Sequence, residues 1–190
     1  MPIRWIVNVN FLALKKTTLL RRENQRQIFH LLHDFAFKVS VRYTGIESDP
    51  VETMYKAFTR LFQQTLAPNS ADLTFLNETI RKLIINICVD QEKHSHNVKQ
   101  RFAHTPVSNY SDTVEIFSLL SNKQIIDTLR TIPFSFRMVY NMSVIDRYKE
   151  QTISSMLQMS ASSVDRCLRS AREQLAGLLM HTLSMESELS

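Results

Sequence analysis

A chain of 190 residues has room for one domain or two small ones. Its 44% apolar content excludes global disorder, and only two glycines and five prolines argue against Gly-rich hairpin architecture and for helices. The 23 Lys and Arg outnumber 18 Asp and Glu, a surplus that permits nucleic-acid binding without establishing it.

The apolar run Trp5 to Leu14 is interrupted by Asn8 and Asn10. It is too short to span a bilayer and lacks a small-residue cleavage site, so residues 1–22 read as a segment of no assigned role, and no membrane insertion is expected. The first sustained helical period is Ile28, Leu32, Phe35 and Val39, with Leu31 and Tyr43 alongside, and Gly45 closes that helix. Asp49-Pro50-Val51-Glu52 is a helix start: Asp49 caps, Pro50 suits the first turn, and Glu52 is placed to return the capping bond. One stripe of the helix that follows carries Val51, Met54, Tyr55, Phe58, Leu61 and Phe62, and Ala67-Pro68-Asn69 ends it. A third helix, beginning near Ser70, aligns Leu73, Leu76, Ile80, Leu83, Ile84 and Ile87. Three such helices with short connections make a bundle over residues 23–95.

Between Gln91 and Asp112 the pattern dissolves into polar and basic residues, which marks a flexible linker, most narrowly residues 96–112. Periodicity returns with Val114, Phe117 and Leu120, runs through Ile125, Ile126 and Leu129 to Pro133, and resumes at Phe134, Met138, Val139 and Met142. Ile153, Met156 and Leu157 form a short sticky helix. Val164, Cys167, Leu168, Ala171, Leu175 and Leu178 form the seam of a longer one. The expected fold is all-α: two small helical domains, 23–95 and 113–183, on a flexible tether.

The stretch TISSMLQMSASSVDRCLRSAREQL carries the most specific chemistry. Gln158-Met159-Ser160 is a tight turn, and Ser160 is placed to cap the second helix. Opposite that helix's apolar seam lie Ser162, Ser163, Asp165, Arg166, Arg169 and Arg172. A short helix, a turn and a second helix with a basic free face describe a helix-turn-helix, whose second helix enters the major groove. Arginine there forks onto guanine edges or pairs with phosphate. The plainer alternative is a surface helix whose arginines meet Glu173 and solvent.

The order of residues in IIDTLRTIPFSFRMVYNMSVIDRYKEQTISSMLQMSASSVDRCLRSAREQL resembles region 4 of the sigma-70 family, most closely the bacterial extracytoplasmic-function sigma factors. The matches are Ile132-Pro133, Arg137, Val139-Tyr140, Ile153, Leu157, Ser160, Ser163-Val164 and Ala171-Arg172 with Leu175. VETMYKAFTRLF sits where that family has its region 2.2 helix, and TIRKLIINICVDQEK resembles regions 2.3 to 2.4 through Asn86, Asp90 and Lys93. Departures are specific. Thr79 replaces a tryptophan, Glu52-Thr53-Met54-Tyr55 stands for Asp-x-x-Gln, and Arg147 and Gln158 occupy two glycine positions.

The resemblance implies a cytoplasmic initiation subunit that binds core RNA polymerase and promoter DNA, and it leaves room for an anti-sigma partner. It implies −35 contacts from Ser162, Ser163, Asp165, Arg166, Arg169 and Arg172, and −10 contacts from Arg81, Lys82, Asn86 and Lys93. Polymerase contacts would come from Glu52, Tyr55, Lys56, Thr59 and Gln63, although Tyr55 also shares the apolar stripe. A rival reading is a sigma-like helix-turn-helix regulator or adaptor that does not initiate transcription. Cys88 and Cys167 read as reduced, core-facing thiols. His94, His96 and His104, with the pair His30 and His33, invite a metal reading, but no Cys or acidic partner sits at ligand spacing in the linker, whose imidazoles read as solvated, so no metal and no cofactor is expected. Without a phosphate loop, a nucleophile elbow or a His-Glu-x-x-His motif, an enzyme is not expected.

Overall fold

The computed structural model describes residues 22–63, 72–94 and 121–188, and every regular element within them is helical. Helix α1 spans Arg22–Tyr43, α2 Pro50–Gln63, α3 Leu73–His94, α4 Asn122–Thr131 and α5 Phe134–Tyr140. A π-helical turn, Asn141–Ile145, follows α5; then come α6, Glu150–Leu157, and α7, Ala161–Glu188. The all-α expectation holds. Residues 1–21, the end expected for α2 at Ala67-Pro68-Asn69, most of the proposed linker, and Val114, Phe117 and Leu120 lie outside the described residues.

Local start signals account for several helix boundaries. The Asp49 carboxylate accepts from the Val51 amide at 2.8 Å, but Glu52 meets Lys56 at 2.8 Å in place of the expected return bond. Asp72 starts α3 by accepting from the Phe75 amide at 2.6 Å. At α4 a reciprocal pair forms, with Ser121 Oγ accepting from the Gln124 amide and Gln124 Oε1 from the Ser121 amide. Pro133 lacks an N–H and separates α4 from α5.

The first three helices bury Ile28, Leu32 and Val39 against Met54, Phe58 and Leu61, and against Leu76, Ile80 and Ile84. The α2 stripe is rotated from its expected setting. Thr53 and Ala57 point inward with Met54, Phe58 and Leu61, whereas Val51 and Tyr55 are 40% and 52% exposed. Periodicity locates a face only to within one neighbouring position, and small Ala57 lets the helices approach more closely than Tyr55 would allow. In the second half, Leu129, Met138, Val139 and Met142 pack on Ile153, Val164, Cys167, Ala171 and Leu175. Both cysteines are free and buried, as read from sequence.

The two sets of helices meet along a polar seam at the C-terminus of α1. The last carbonyls of a helix have no intrahelical donors, and here donors come from about a hundred residues away in the chain. Asn141 Nδ2 donates to the Arg42 carbonyl at 2.9 Å, and Arg137 Nε donates to the Tyr43 carbonyl at 3.1 Å. The same guanidinium donates from Nη1 to the Ile132 carbonyl at 2.7 Å and to the Arg130 carbonyl at 3.3 Å. Asp146, with a side chain only 4% exposed, accepts from Arg42 at 3.0 Å and from the Tyr43 hydroxyl at 2.6 Å. Burial and the neighbouring carboxylate both push the Tyr43 pKa far up, so its hydroxyl stays a donor. Tyr148 adds a bond to Glu78 at 2.7 Å, and Arg130 one to the Gly45 carbonyl at 3.1 Å.

Gly45 is not a left-handed helix cap: no glycine among the described residues has a positive φ. A Cβ there would lie 3.3 Å from Arg137 Nη2, so the residue makes room for the guanidinium that caps α1. The positive φ values fall elsewhere, on Arg147 at 57° and Gln158 at 55°. Arg147 follows the π turn, where Asp146 donates its amide to the Asn141 carbonyl at 2.8 Å. Gln158 turns the chain between α6 and α7. Each side chain pays the steric cost of a left-handed backbone, about 1 kcal/mol.

Two outcomes are expected. Arg137→Met keeps the aliphatic stem but strands three carbonyls, and should lower unfolding free energy by about 3 kcal/mol in urea titration. Gln158→Gly removes the Cβ clash and should raise it by about 0.5 kcal/mol, visible as a small increase in Tm.

Candidate nucleic-acid interface

Helix α6 is short and is held by Ile153, which is 1% exposed. Its last turn closes on Gln158, whose left-handed backbone sends the chain back through Met159 and Ser160 into α7. Ser160 caps α7: its Oγ accepts from the Ser163 amide at 3.2 Å, and its carbonyl accepts from the Val164 amide at 3.0 Å. The Ser162 and Ser163 hydroxyls lie within 3.0 Å and 2.9 Å of Ser160 Oγ, forming a small hydroxyl cluster at the N-terminal end of the helix. Val164, Cys167, Ala171 and Leu175 then turn inward at helical spacing.

The opposite side is open. Ser162, Asp165, Arg166, Arg169 and Arg172 are exposed, and Ser163 is half-buried by its part in the cap. Asp165 holds Arg169 at 3.0 Å, with both side chains more than half exposed. Arg166 reaches back to Ser163 Oγ at 3.4 Å. Exposed i,i+4 pairs contribute only about 0.3–0.5 kcal/mol, so Asp165 holds Arg169 weakly. Partners for these arginines come from Asp165 and Ser163, not from Glu173. Arg172 lies near Tyr140, whose hydroxyl burial makes harder to ionise while the Arg172 charge works the other way. The six residues therefore share one end and one side of α7, in an arrangement suited to a duplex groove.

On α3 the four candidate residues divide. Lys82, Asn86 and Lys93 are exposed and share a face by their spacing of four and seven. Lys82 leans on Glu78 at 3.4 Å, and Lys93 Nζ donates to Gln158 Oε1 at 3.4 Å, which brings the end of α3 beside the helix-turn-helix turn. Arg81 points elsewhere. It donates to Glu78 at 2.9 Å, sits 3.6 Å from Asp146, and lies 5.3 Å over the Phe35 ring. Burial opposes its charge, but Asp146, Tyr148 and Glu78 outweigh that and leave its pKa above the ordinary arginine value. Phe75 is 37% exposed at the start of the same helix.

The α2 residues Glu52, Tyr55, Lys56, Thr59 and Gln63 form one exposed face. Tyr55 is not core. Its ring stacks on Phe29 at 6.2 Å and 7°, and Phe29 in turn meets His33 and Phe58. Sequence reasoning missed Phe29 and His33 as members of this surface. Their i,i+4 spacing on α1 was the available signal.

A cleft of about 120 Å³ at the seam is lined by Gly45, Cys88, Glu92 and Arg137 among others. Burial pushes the Cys88 pKa up to about 12, so the group is a thiol rather than a nucleophilic thiolate. Among the described residues no three His, Cys, Asp or Glu side chains gather as a metal site; His96 and His104 lie outside them. No described helix is long and apolar enough to cross a membrane. No protein-family model and no curated protein matches this sequence, so any functional reading rests on the residues and their geometry.

Proposed function

We propose that the chain is an initiation subunit of the extracytoplasmic-function sigma type, a bacterial, cytoplasmic protein that binds core RNA polymerase and directs it to promoters. The observation that carries the reading is the α6–turn–α7 unit, whose capped second helix presents Arg166, Arg169 and Arg172 away from its buried seam. In this role Arg166 and Arg169 read bases or phosphates of the −35 element, with Ser162, Ser163 and Asp165 at the groove-facing end of the helix. Arg172, a turn further along, contacts phosphate.

Two further features support it. Arg147 and Gln158 both take left-handed backbone, the conformation that favours glycine, and they stand where the resembled family has glycine. The exposed α2 face with Tyr55 stacked on Phe29 offers polymerase an aromatic anchor flanked by Glu52, Lys56, Thr59 and Gln63. Lys82, Asn86 and Lys93 supply the charged face for −10 DNA, and Arg81 joins them only when it leaves Glu78 and Asp146.

One observation favours a second reading, a duplex-binding regulator that does not initiate. The α7 ridge is open while Arg81 is engaged in the seam. That regulator binds specific duplex without polymerase, and core polymerase does not retain it.

Run-off transcription with purified core polymerase on selected promoter DNA tests the proposal. Promoter-specific transcripts are expected, and Arg166→Ala and Arg169→Ala should each weaken promoter binding by about 1–3 kcal/mol, with preference relaxed at one position where a base contact is lost. Unchanged initiation by both variants would show that the recognition face is wrongly assigned.

A further inference from the structure

Asp146 is the hub of the seam. Its nearly buried carboxylate gathers Arg42 and Tyr43 from α1 and Arg81 from α3, although it belongs to the other half of the chain. Tyr148, two residues on, holds Glu78, and Glu78 is the second acidic partner of Arg81. Every acidic contact that occupies Arg81 is therefore made by the second half or braced by it. A guanidinium so held is not offered to phosphate, whereas Lys82, Asn86 and Lys93 on the same helix remain exposed.

We propose that the seam is a latch: docking of the π turn on α1 withholds Arg81 from nucleic acid, and opening the seam releases it to complete the single-strand-binding face of α3. The inference rests on the reading of α3 as a DNA-facing helix. Its energetic logic is exchange. In the closed form Arg81 has Glu78 on its own helix, the Phe35 ring and, from the second half, Asp146. Opening the seam removes Asp146 and the Tyr148 hydroxyl that holds Glu78, and the phosphates of a single strand replace the lost carboxylate. A ligand that binds only the open form shifts the balance by its differential affinity. Its apparent affinity is scaled down by the fraction of open molecules.

The test uses the full chain, a fluorescein-labelled single-stranded oligonucleotide and two readouts, anisotropy for affinity and small-angle scattering for dimensions. Tyr43→Phe removes one bond to Asp146 without changing any charge and should raise affinity about fivefold with a larger radius of gyration. Asp146→Asn should do the same more strongly. In an Arg81→Gln background both gains should vanish while the expansion remains. The latch is overturned if neither variant expands, if expansion leaves affinity unchanged, or if the gain survives Arg81→Gln. Wild-type affinity equal to that of the opened variants sinks the latch alone. An expanded set in which no variant binds the oligonucleotide sinks the DNA-facing reading of α3 and the latch with it. Should Asp146→Asn lose its helical circular dichroism, the charge-neutral Tyr43→Phe decides.

Discussion

The C-terminus of α1 cannot finish itself. Its final carbonyls face a loop with no left-handed glycine, and a buried helix end without donors would be costly. The fold answers with two side chains from the second half, Asn141 on Arg42 and Arg137 on Tyr43. Much else follows from that borrowed cap. Arg137 lies nearly buried, a Cβ at residue 45 would crowd its guanidinium at 3.3 Å, and α5 runs alongside the end of α1. Because burial lowers the pKa of Arg137, its charge is sustained by the carbonyls around it and by the nearby Glu92.

The π turn is the other half of the same device. One extra residue per turn shifts the register after Asn141, so Asp146 and Asn141 both face α1, where an uninterrupted α-helix would separate them by about 140°. The cost appears at once as the left-handed Arg147, and the chain then enters α6. The element that joins the halves and the element that starts the helix-turn-helix are therefore consecutive.

The fold class and most helix boundaries were legible because they depend on local rules. Ser160 reads as a cap, Pro133 as a break and the α7 seam as a buried stripe, and each is so placed, except that the stripe's last member, Leu178, is 42% exposed. The seam was not legible. Arg81 follows Ile80 on an amphipathic helix and reads as a free charge, while its partner Asp146 lies 65 residues away behind a stretch with no regular pattern. Tyr55 failed for a different reason. An aromatic one step from the centre of an apolar stripe can go either way, and the choice fell to Ala57, whose small side chain draws α2 close to its neighbours on the other side of that boundary.

Arginine serves two opposed purposes in this chain, and composition alone does not separate them. Arg42, Arg81, Arg130 and Arg137 spend their donors on carbonyls and carboxylates within the seam. Arg166, Arg169 and Arg172 stand out from α7 on contacts that water or phosphate readily replaces. What distinguishes the groups is the partner's desolvation: a carboxylate at 4% exposure has little water to fall back on and holds its cations tightly, whereas Asp165 at 61% exposure gives Arg169 up cheaply. The basic surplus of the sequence is thus a poor measure of the positive charge the surface presents, because the first group of these arginines is neutralised or spent on carbonyls within the seam and the other stands in solvent.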